Sequence, residues 1–256
     1  MKKFLITLLM ALAPMTASAA GGAGVPLDKI DIDLNNQASL QRGMQTFVNR
    51  CMGCHEAGYQ RFERSAQDLG MPNELVEQYL IFDPERKIGD HMKIAMAKTD
   101  AAGWFGAPPP DLTLETRLRG SDWVYTYLRS FYADENRPWG VNNAVFPDVG
   151  MPNVLEDLQG KVVNHCTPEE LAHGGNDEID PLTGKKMGGC LTVSEAGSQS
   201  AEEFDRTIYD LVNFMTYMGE PSRMESERIG FKVLIFLAIL FVFAFALKKE
   251  YWKDVH

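Results

Sequence analysis

The stretch CMGCHEAG, residues 51–58, places two cysteines three positions apart and a histidine directly after the second. Three kinds of site use such a spacing: a zinc site, a redox-active disulfide and a covalently attached haem. In the haem case both thiols form thioethers with the vinyl groups, and the adjacent imidazole ligates the iron. The rest of the sequence distinguishes among these three.

The sequence lacks the second ligand pair that a zinc site requires and the βαβ context that a thioredoxin-like redox disulfide requires. A structural zinc site takes four ligands, normally from two paired clusters, and Cys166 and Cys190 do not form such a pair. A thioredoxin-like site expects a strand before the motif and a βαβ context, which the sequence lacks. The motif therefore favours one haem c attached through Cys51 and Cys54, with His55 as an axial ligand. A haem-free zinc or disulfide binding module is the alternative.

The first residues have the composition of an export signal. Two lysines precede an apolar run at residues 4–10, and the Ala-Ser-Ala sequence at residues 17–19 fits a cleavage site. We therefore predict a signal peptide at residues 1–19 and a periplasmic domain at residues 20–228. The periplasm is oxidising, so disulfides persist there.

A second apolar run lies near the C-terminal end. Residues 229–247 contain a single charge, that of Lys232. At about 1.5 Å per residue this run spans ~28 Å as a helix, close to the ~30 Å of a bilayer core. Lys248 and Lys249 follow it, and the positive-inside rule places such a segment in the cytoplasm. We predict a transmembrane anchor at residues 229–247 and a cytoplasmic tail at residues 248–256, hence a single-pass protein of the bacterial inner membrane.

The chain is acidic, with a formal net charge of −10. This charge argues against binding to nucleic acid, because the phosphates would repel it. It is consistent with a basic protein partner, and equally with an acidity that only keeps an exported domain soluble.

Between the two ends, the apolar spacing predicts helices joined by long loops. One helix runs directly into the Cys51 motif, another covers residues 73–80, and a third begins at Ser121. The clearest covers residues 200–218 and opens with a Ser–Glu capping box. No alternating β pattern is sustained. We therefore predict a mainly α fold, a loop-rich class I c-type cytochrome domain around the covalently attached haem, plus one C-terminal transmembrane helix.

The sixth ligand of the iron is predicted to be Met151, in the segment FPDVGMP at residues 146–152. The glycine before it lets the backbone approach closely, and the proline after it keeps the segment extended, so the thioether projects from a loop. The rivals Met92 and Met96 are four residues apart, which suggests one face of a helix and hence core packing. Three other histidines lie in polar surroundings and are interpreted as surface residues: His91, His165 and His173.

With these features in order, the chain resembles the cytochrome c1 family, the membrane-anchored haem subunit of the cytochrome bc1 complex. The attachment motif alone is shared by all c-type cytochromes, whereas the ordered set with a C-terminal anchor is much more specific. Besides the motif and the anchor, the resemblance rests on Pro109-Pro110-Asp111-Leu112, on Arg117 and Arg119 before an aromatic helix, on Phe146-Pro147 with Gly150-Met151-Pro152, and on Gly219-Glu220-Pro221.

The resemblance implies an electron carrier in a complex with cytochrome b. Such a chain takes one electron from the Rieske iron–sulfur protein and passes it to a soluble cytochrome c. It has no substrate site of its own, so whether the isolated chain counts as an enzyme stays open. An anchored mono-haem cytochrome of another respiratory complex is the alternative.

The resemblance also implies which residues surround the haem. A proline carbonyl is expected to accept a hydrogen bond from the second nitrogen of the axial histidine, which fixes its tautomer. An arginine is expected to pair with a haem propionate, and two aromatic side chains to line the propionate edge. These residues are Pro109 or Pro110 for the carbonyl, Arg117 or Arg119 for the propionate, and Trp123 and Tyr125 for the edge.

The last two cysteines, Cys166 and Cys190, lie in a Gly-rich, charged segment at residues 161–198 that is predicted to be an insertion loop. In an oxidising compartment, and with no second pair of metal ligands, a disulfide between them is favoured. Free thiols, or a metal site formed by Cys166 with His165, are the alternatives.

Overall fold

The computed structural model of the protein describes residues 25–172 and 189–253. Roughly half of these residues are helical, and the others form loops and small two-stranded antiparallel sheets. The predicted signal peptide, the centre of the predicted insertion loop and the last residues of the predicted tail lie outside the described residues.

The helices and strands of the described chain are short, apart from the last two helices. A π-helical turn, Phe47–Cys51, continues the first helix into the attachment motif. The strands pair as β1 (Ala57–Arg61) with β2 (His91–Met92), β3 (Phe131–Ala133) with β4 (Val141–Asn143), and β5 (Gly160–Asn164) with β6 (Leu191–Ala196). The helices are α1 (Gln37–Thr46), α2 (Phe62–Asp68), α3 (Asn73–Leu80), α4 (Lys98–Phe105), α5 (Glu115–Arg119), α6 (Ser121–Arg129), α7 (Glu156–Gln159), α8 (Pro168–Ala172), α9 (Ala201–Gly219) and α10 (Arg223–Tyr251).

The core is centred on the crossing of α1 and α9. A Cβ atom at Gly43 would collide with the backbone carbonyl of Asp210, so the two helices approach closely there. The Phe47 and Phe214 rings pack 5.8 Å apart, and Arg42 Nε donates to the buried Asp210 carboxylate over 2.6 Å. Each fully buried apolar side chain contributes about 1.5–3 kcal/mol. This crossing therefore fixes the π-helical turn and the attachment motif that follows it.

The helices with the strongest local signals form as predicted. α3 covers residues 73–80, and α6 begins at Ser121. At the start of α9 the Ser200 hydroxyl accepts from the Glu203 backbone N–H, and the Glu203 carboxylate accepts in return from the Ser200 backbone N–H. The predicted capping box is confirmed, as is the end of this helix at Gly219.

Two interpretations of the sequence need correction. Strands form in the described chain although no β alternation is sustained, because they are only two to six residues long, too short to show it. All of the β5–β6 pair except Gly160 lies in the segment predicted as a loop. The helical interpretation of Met92 and Met96 is also wrong, because Met92 lies in β2, which pairs with β1, and Met96 lies in an irregular bend beyond the strand. Met92 is fully buried, whereas Met96 is only partly buried in a bend.

The helix α10 contains the whole predicted anchor. It is 29 residues long, its most apolar window has a mean hydropathy of 2.7, and none of that window is buried in the structure. In the part of the chain that the structure describes, it is the one helix long and apolar enough to cross a membrane. Residues 220–222 separate it from α9, so the preceding domain connects to α10 through a short turn.

Candidate haem-binding site

The attachment motif folds into a tight turn at the end of the π-helical segment. The Cys51 carbonyl accepts hydrogen bonds from the backbone N–H groups of Cys54 (3.1 Å) and His55 (2.9 Å). This brings both thiols and the imidazole onto one turn. Burial, together with the neighbouring Cys54, raises the pKa of the Cys51 thiol to about 12. A redox-active cysteine needs a low pKa, so this environment disfavours the redox alternative.

The His55 imidazole is oriented by the loop that precedes α5. Its Nδ1 lies 2.8 Å from the Pro110 carbonyl oxygen, which can only accept, so Nδ1 carries the proton. Burial lowers the pKa of His55, although the Pro110 hydrogen bond and the Glu115 charge oppose that effect. The ring is therefore neutral at pH 7. Nε2 makes no hydrogen bond to any described residue, which leaves its lone pair free to ligate a metal.

The Pro110 loop is itself tied to the attachment motif. The Leu112 backbone N–H donates to the Glu56 carbonyl over 2.9 Å, and the Gly58 N–H donates to the Asp111 carboxylate over 2.8 Å. These bonds hold the Pro110 carbonyl against His55. Pro109 is half-buried, and its carbonyl accepts no hydrogen bond from a described residue. Of the two predicted prolines, Pro110 is the one that contacts the histidine.

Met151 lies against the helix α6 and the β3–β4 sheet. Its side chain packs on a small apolar cluster formed by Phe131, Val141 and Val149. The Tyr127 hydroxyl donates to Met151 Sδ over 3.5 Å. Burial raises the pKa of Tyr127, so the phenol keeps its proton. The thioether is thus held at a defined position in a partly buried site.

Two buried asparagines, Asn142 and Asn143, shape the loop that leads to Met151. The Asn143 side-chain oxygen accepts from the backbone N–H groups of Val145 (3.0 Å) and Phe146 (3.1 Å). Its amide donates to the Tyr127 carbonyl over 2.8 Å. The Asn142 side-chain oxygen accepts from the backbone N–H of Asp148 over 2.9 Å.

Asp148 adopts a left-handed backbone conformation (φ 62°), which strains the turn. The hydrogen bond from its backbone N–H to the Asn142 side chain stabilises that conformation. Sequence reasoning missed both asparagines. The available signal was an Asn-Asn pair ahead of a turn, where Asn side chains replace backbone partners.

Aromatic side chains and one arginine form a wall beside Tyr127. The Trp123 and Tyr127 rings stack with centroids 5.0 Å apart. The Arg119 guanidinium lies 4.4 Å from the Trp123 ring centroid and 5.5 Å from that of Phe146. It also forms an ion pair with Glu115. This cluster packs a cation against aromatic rings, of which Trp123 is buried.

Two predicted pocket residues lie elsewhere. Arg117 donates to the Gly219 carbonyl over 3.4 Å, so it contacts the end of α9. The Tyr125 hydroxyl donates to Asp205 over 2.9 Å, and its ring lies under the Arg129 guanidinium. Because residues two apart on a helix point to opposite sides, Tyr125 does not join Trp123.

The donors described above are those that a covalently attached haem needs. The attachment turn offers two cysteine thiols and a neutral imidazole with a free nitrogen, and the side of α6 offers a thioether, aromatic rings and an arginine. Tyr127 connects the two regions, because it packs against both the apolar cluster that contains Cys51 and the one next to Met151. Within residues 25–172 and 189–253, no group of three or more His, Cys, Asp or Glu side chains is arranged to hold a bare metal ion.

Comparison with known proteins agrees with this chemistry. The model of the Cytochrome C1 family matches residues 31–255, most of the chain. The chain belongs to the cytochrome c1 family. Cytochrome c1 of Allochromatium vinosum is 49% identical over the full length of both chains. A protein of Nitrosomonas europaea named ammonia monooxygenase gamma subunit is 42% identical over 100% of this chain and 99% of its own. A cytochrome b/c1 of Bradyrhizobium diazoefficiens is 26% identical over 90% of this chain and 34% of its own.

Membership of the cytochrome c1 family confirms several predictions. Cytochrome c1 proteins carry one covalently bound haem c and are the haem subunit of the bc1 complex. The predicted cofactor and fold class are therefore confirmed. Together with α10, membership also indicates a membrane-anchored protein.

In the structure, Cys166 and Cys190 are joined by a disulfide with their Cα atoms 5.2 Å apart. The bridge closes one end of the β5–β6 pair, where the His165 N–H donates to the Cys190 carbonyl over 2.9 Å. A sequence separation of 24 residues predicts about 3 kcal/mol of stabilisation from restriction of the unfolded chain.

We expect replacement of both cysteines by serine to lower the free energy of unfolding by about that amount. Urea denaturation of the two proteins measures the difference. A non-reduced digest of the wild type should contain the two peptides joined. Free alkylation of both thiols in unreduced, unfolded protein would show that the bridge does not form.

Proposed function

We propose that this chain is the electron carrier between the Rieske iron–sulfur protein and a soluble cytochrome c in a cytochrome bc1 complex. The observation that carries the proposal is the His55 environment, a neutral imidazole with Nδ1 bonded to Pro110 and Nε2 free. That arrangement suits a permanent iron ligand, because the hydrogen bond at Nδ1 fixes the tautomer in which Nε2 keeps its lone pair for a metal. Bound haem supplies a one-electron couple.

Each functional side chain has a role that its environment supports. Cys51 and Cys54 would attach the haem, and His55 and Met151 would ligate its iron. Because two protein side chains would then complete the ligation of the iron, no position would be left for a substrate, which suits a carrier. Thioether ligation raises the redox potential relative to a second histidine, as the high-potential end of an electron-transfer chain requires.

Arg119 is the arginine that we assign to a haem propionate. Its guanidinium lies beside Trp123 and Phe146, next to the Tyr127–Met151 contact, whereas Arg117 contacts the end of α9. In the ligand-bearing protein a propionate would compete with Glu115 for this guanidinium. Trp123 would line the same edge.

The location follows from the two terminal segments. With the signal peptide cleaved and the basic tail retained in the cytoplasm, the haem domain lies in the periplasm and α10 crosses the inner membrane once. The relative named cytochrome b/c1 supports cytochrome b as the membrane partner. The acidity of the chain is compatible with a basic soluble cytochrome c as acceptor.

Purification from native membranes tests the assembly. A C-terminal affinity tag should recover cytochrome b and a Rieske protein in amounts equal to this chain. Recovery with a different reductase or oxidase would favour the alternative of another respiratory complex. Recovery with an oxygenase would instead favour a role like the one that the Nitrosomonas europaea relative is named for.

A further inference from the structure

We propose that the Tyr127 hydroxyl raises the redox potential of the haem by donating a hydrogen bond to the Met151 sulfur. The inference rests on the proposed function, because it takes Met151 as an iron ligand. Tyr127 acts through that ligand and does not itself reach the iron, so it is a positioning residue.

The Met151 sulfur can serve both partners at once. A thioether sulfur carries two lone pairs, and ligation of iron uses one of them. The other is free to accept a hydrogen bond, although sulfur is a weak acceptor. The observed distance from the Tyr127 oxygen to Met151 Sδ is 3.5 Å, as expected for a bond to the large sulfur atom.

The direction of the Tyr127 hydroxyl is fixed by packing. Its ring stacks on Trp123 with the planes 10° apart, and meets Phe131 edge-on at a centroid distance of 5.2 Å. Its backbone carbonyl accepts from the Asn143 amide. The hydroxyl makes no other hydrogen bond to a described residue. The helix α6, the ring contacts and the hydrogen bond from Asn143 together therefore direct the Tyr127 hydroxyl toward Met151 Sδ.

The sign of the effect follows from the electron demand of the iron. A donor at the sulfur withdraws electron density from the thioether, so the sulfur stabilises the more highly charged ferric state less. The ferrous state is favoured and the potential rises. The hydrogen bond exists in both the ferric and the ferrous state. The redox potential therefore changes only by the difference between the strengths of the bond in these two states.

A net hydrogen bond changes an equilibrium constant by about fivefold. Because only part of that effect differs between the two oxidation states, we expect about a threefold effect on the ferric–ferrous equilibrium, which corresponds to about 28 mV for a one-electron couple.

The test compares Tyr127→Phe with a matched control, Tyr125→Phe, in detergent-solubilised full-length holoprotein. Both changes delete one hydroxyl from the same helix, and the control hydroxyl donates to Asp205 on the other side. The phenylalanine at position 127 keeps both ring contacts. Potentiometric titration should give a lower potential for Tyr127→Phe than for the wild type and the control. The thioether-to-iron charge-transfer band should persist at a changed energy.

The possible failures of the test are distinguishable. An unchanged or higher potential in Tyr127→Phe, with the band present in the wild type, overturns this inference and leaves the proposed function standing. Absence of the band from the wild type removes Met151 as a ligand, and the inference with it.

Discussion

Replacing Met151 with histidine is expected to keep the haem low-spin and to lower its redox potential by a few tenths of a volt. Axial ligands alone set haem potentials over a range of about 0.8 V, and a thioether favours the ferrous state more than an imidazole does. The loop leaves room for the change, since Met151 is only partly buried and a glycine precedes it. Potentiometric titration of the holoprotein measures the shift.

The same substitution at Met96 is the matched control. Met96 is also partly buried in an irregular segment, but it is remote in sequence from the asparagine-braced loop. Met96→His should leave the potential and the thioether-to-iron band unchanged. If Met151→His leaves both unchanged and Met96→His alters them, Met96 is the ligand and the assignment of Met151 is wrong.

Replacing Asn143 with alanine is expected to destabilise the domain by about 3–5 kcal/mol. The change removes the partners of the Val145 and Phe146 N–H groups and of the Tyr127 carbonyl. A buried polar group left unsatisfied costs about 1–3 kcal/mol. Because these bonds shape the loop before Met151, the thioether-to-iron band should also weaken. Urea denaturation and the absorption spectrum report the two effects.

Asn136→Ala provides the comparison for this variant. Asn136 is exposed, and its side chain donates only to Asp134, within the same turn between β3 and β4. Surface substitutions of this kind change stability by less than about 0.5 kcal/mol. Equal stability of the two variants would show that Asn143 does not brace the loop.

Features encoded by neighbouring residues could be predicted from the sequence. The α9 capping box, its end at Gly219 and the start of α6 each depend on residues within one turn of helix. The attachment motif is likewise local, since one turn carries both thiols and the imidazole. The apolar run of α10 needs only length and composition.

Features set by distant contacts could not be predicted in the same way. Met92 and Met96 match a helical spacing, yet the pairing of β2 with the distant strand β1 makes the backbone at Met92 extended. The Asn-Asn pair at residues 142–143 indicates a turn, but the burial of Asn143, which makes its hydrogen bonds important, comes from tertiary packing. The assignment of Arg119 rather than Arg117 to a propionate is another example. The packing of α5 against α9 places Arg119 over Trp123 and Arg117 against Gly219, and the sequence does not show that packing.

The most direct test of the account is the path of one electron through the assembled complex. Quinol added to the purified complex should reduce the haem c of this chain, and soluble cytochrome c should then reoxidise it, both followed by absorption. Removal of the Rieske protein should abolish the reduction of haem c while cytochrome b is still reduced. Reduction of haem c at an unchanged rate without the Rieske protein would contradict the proposed function.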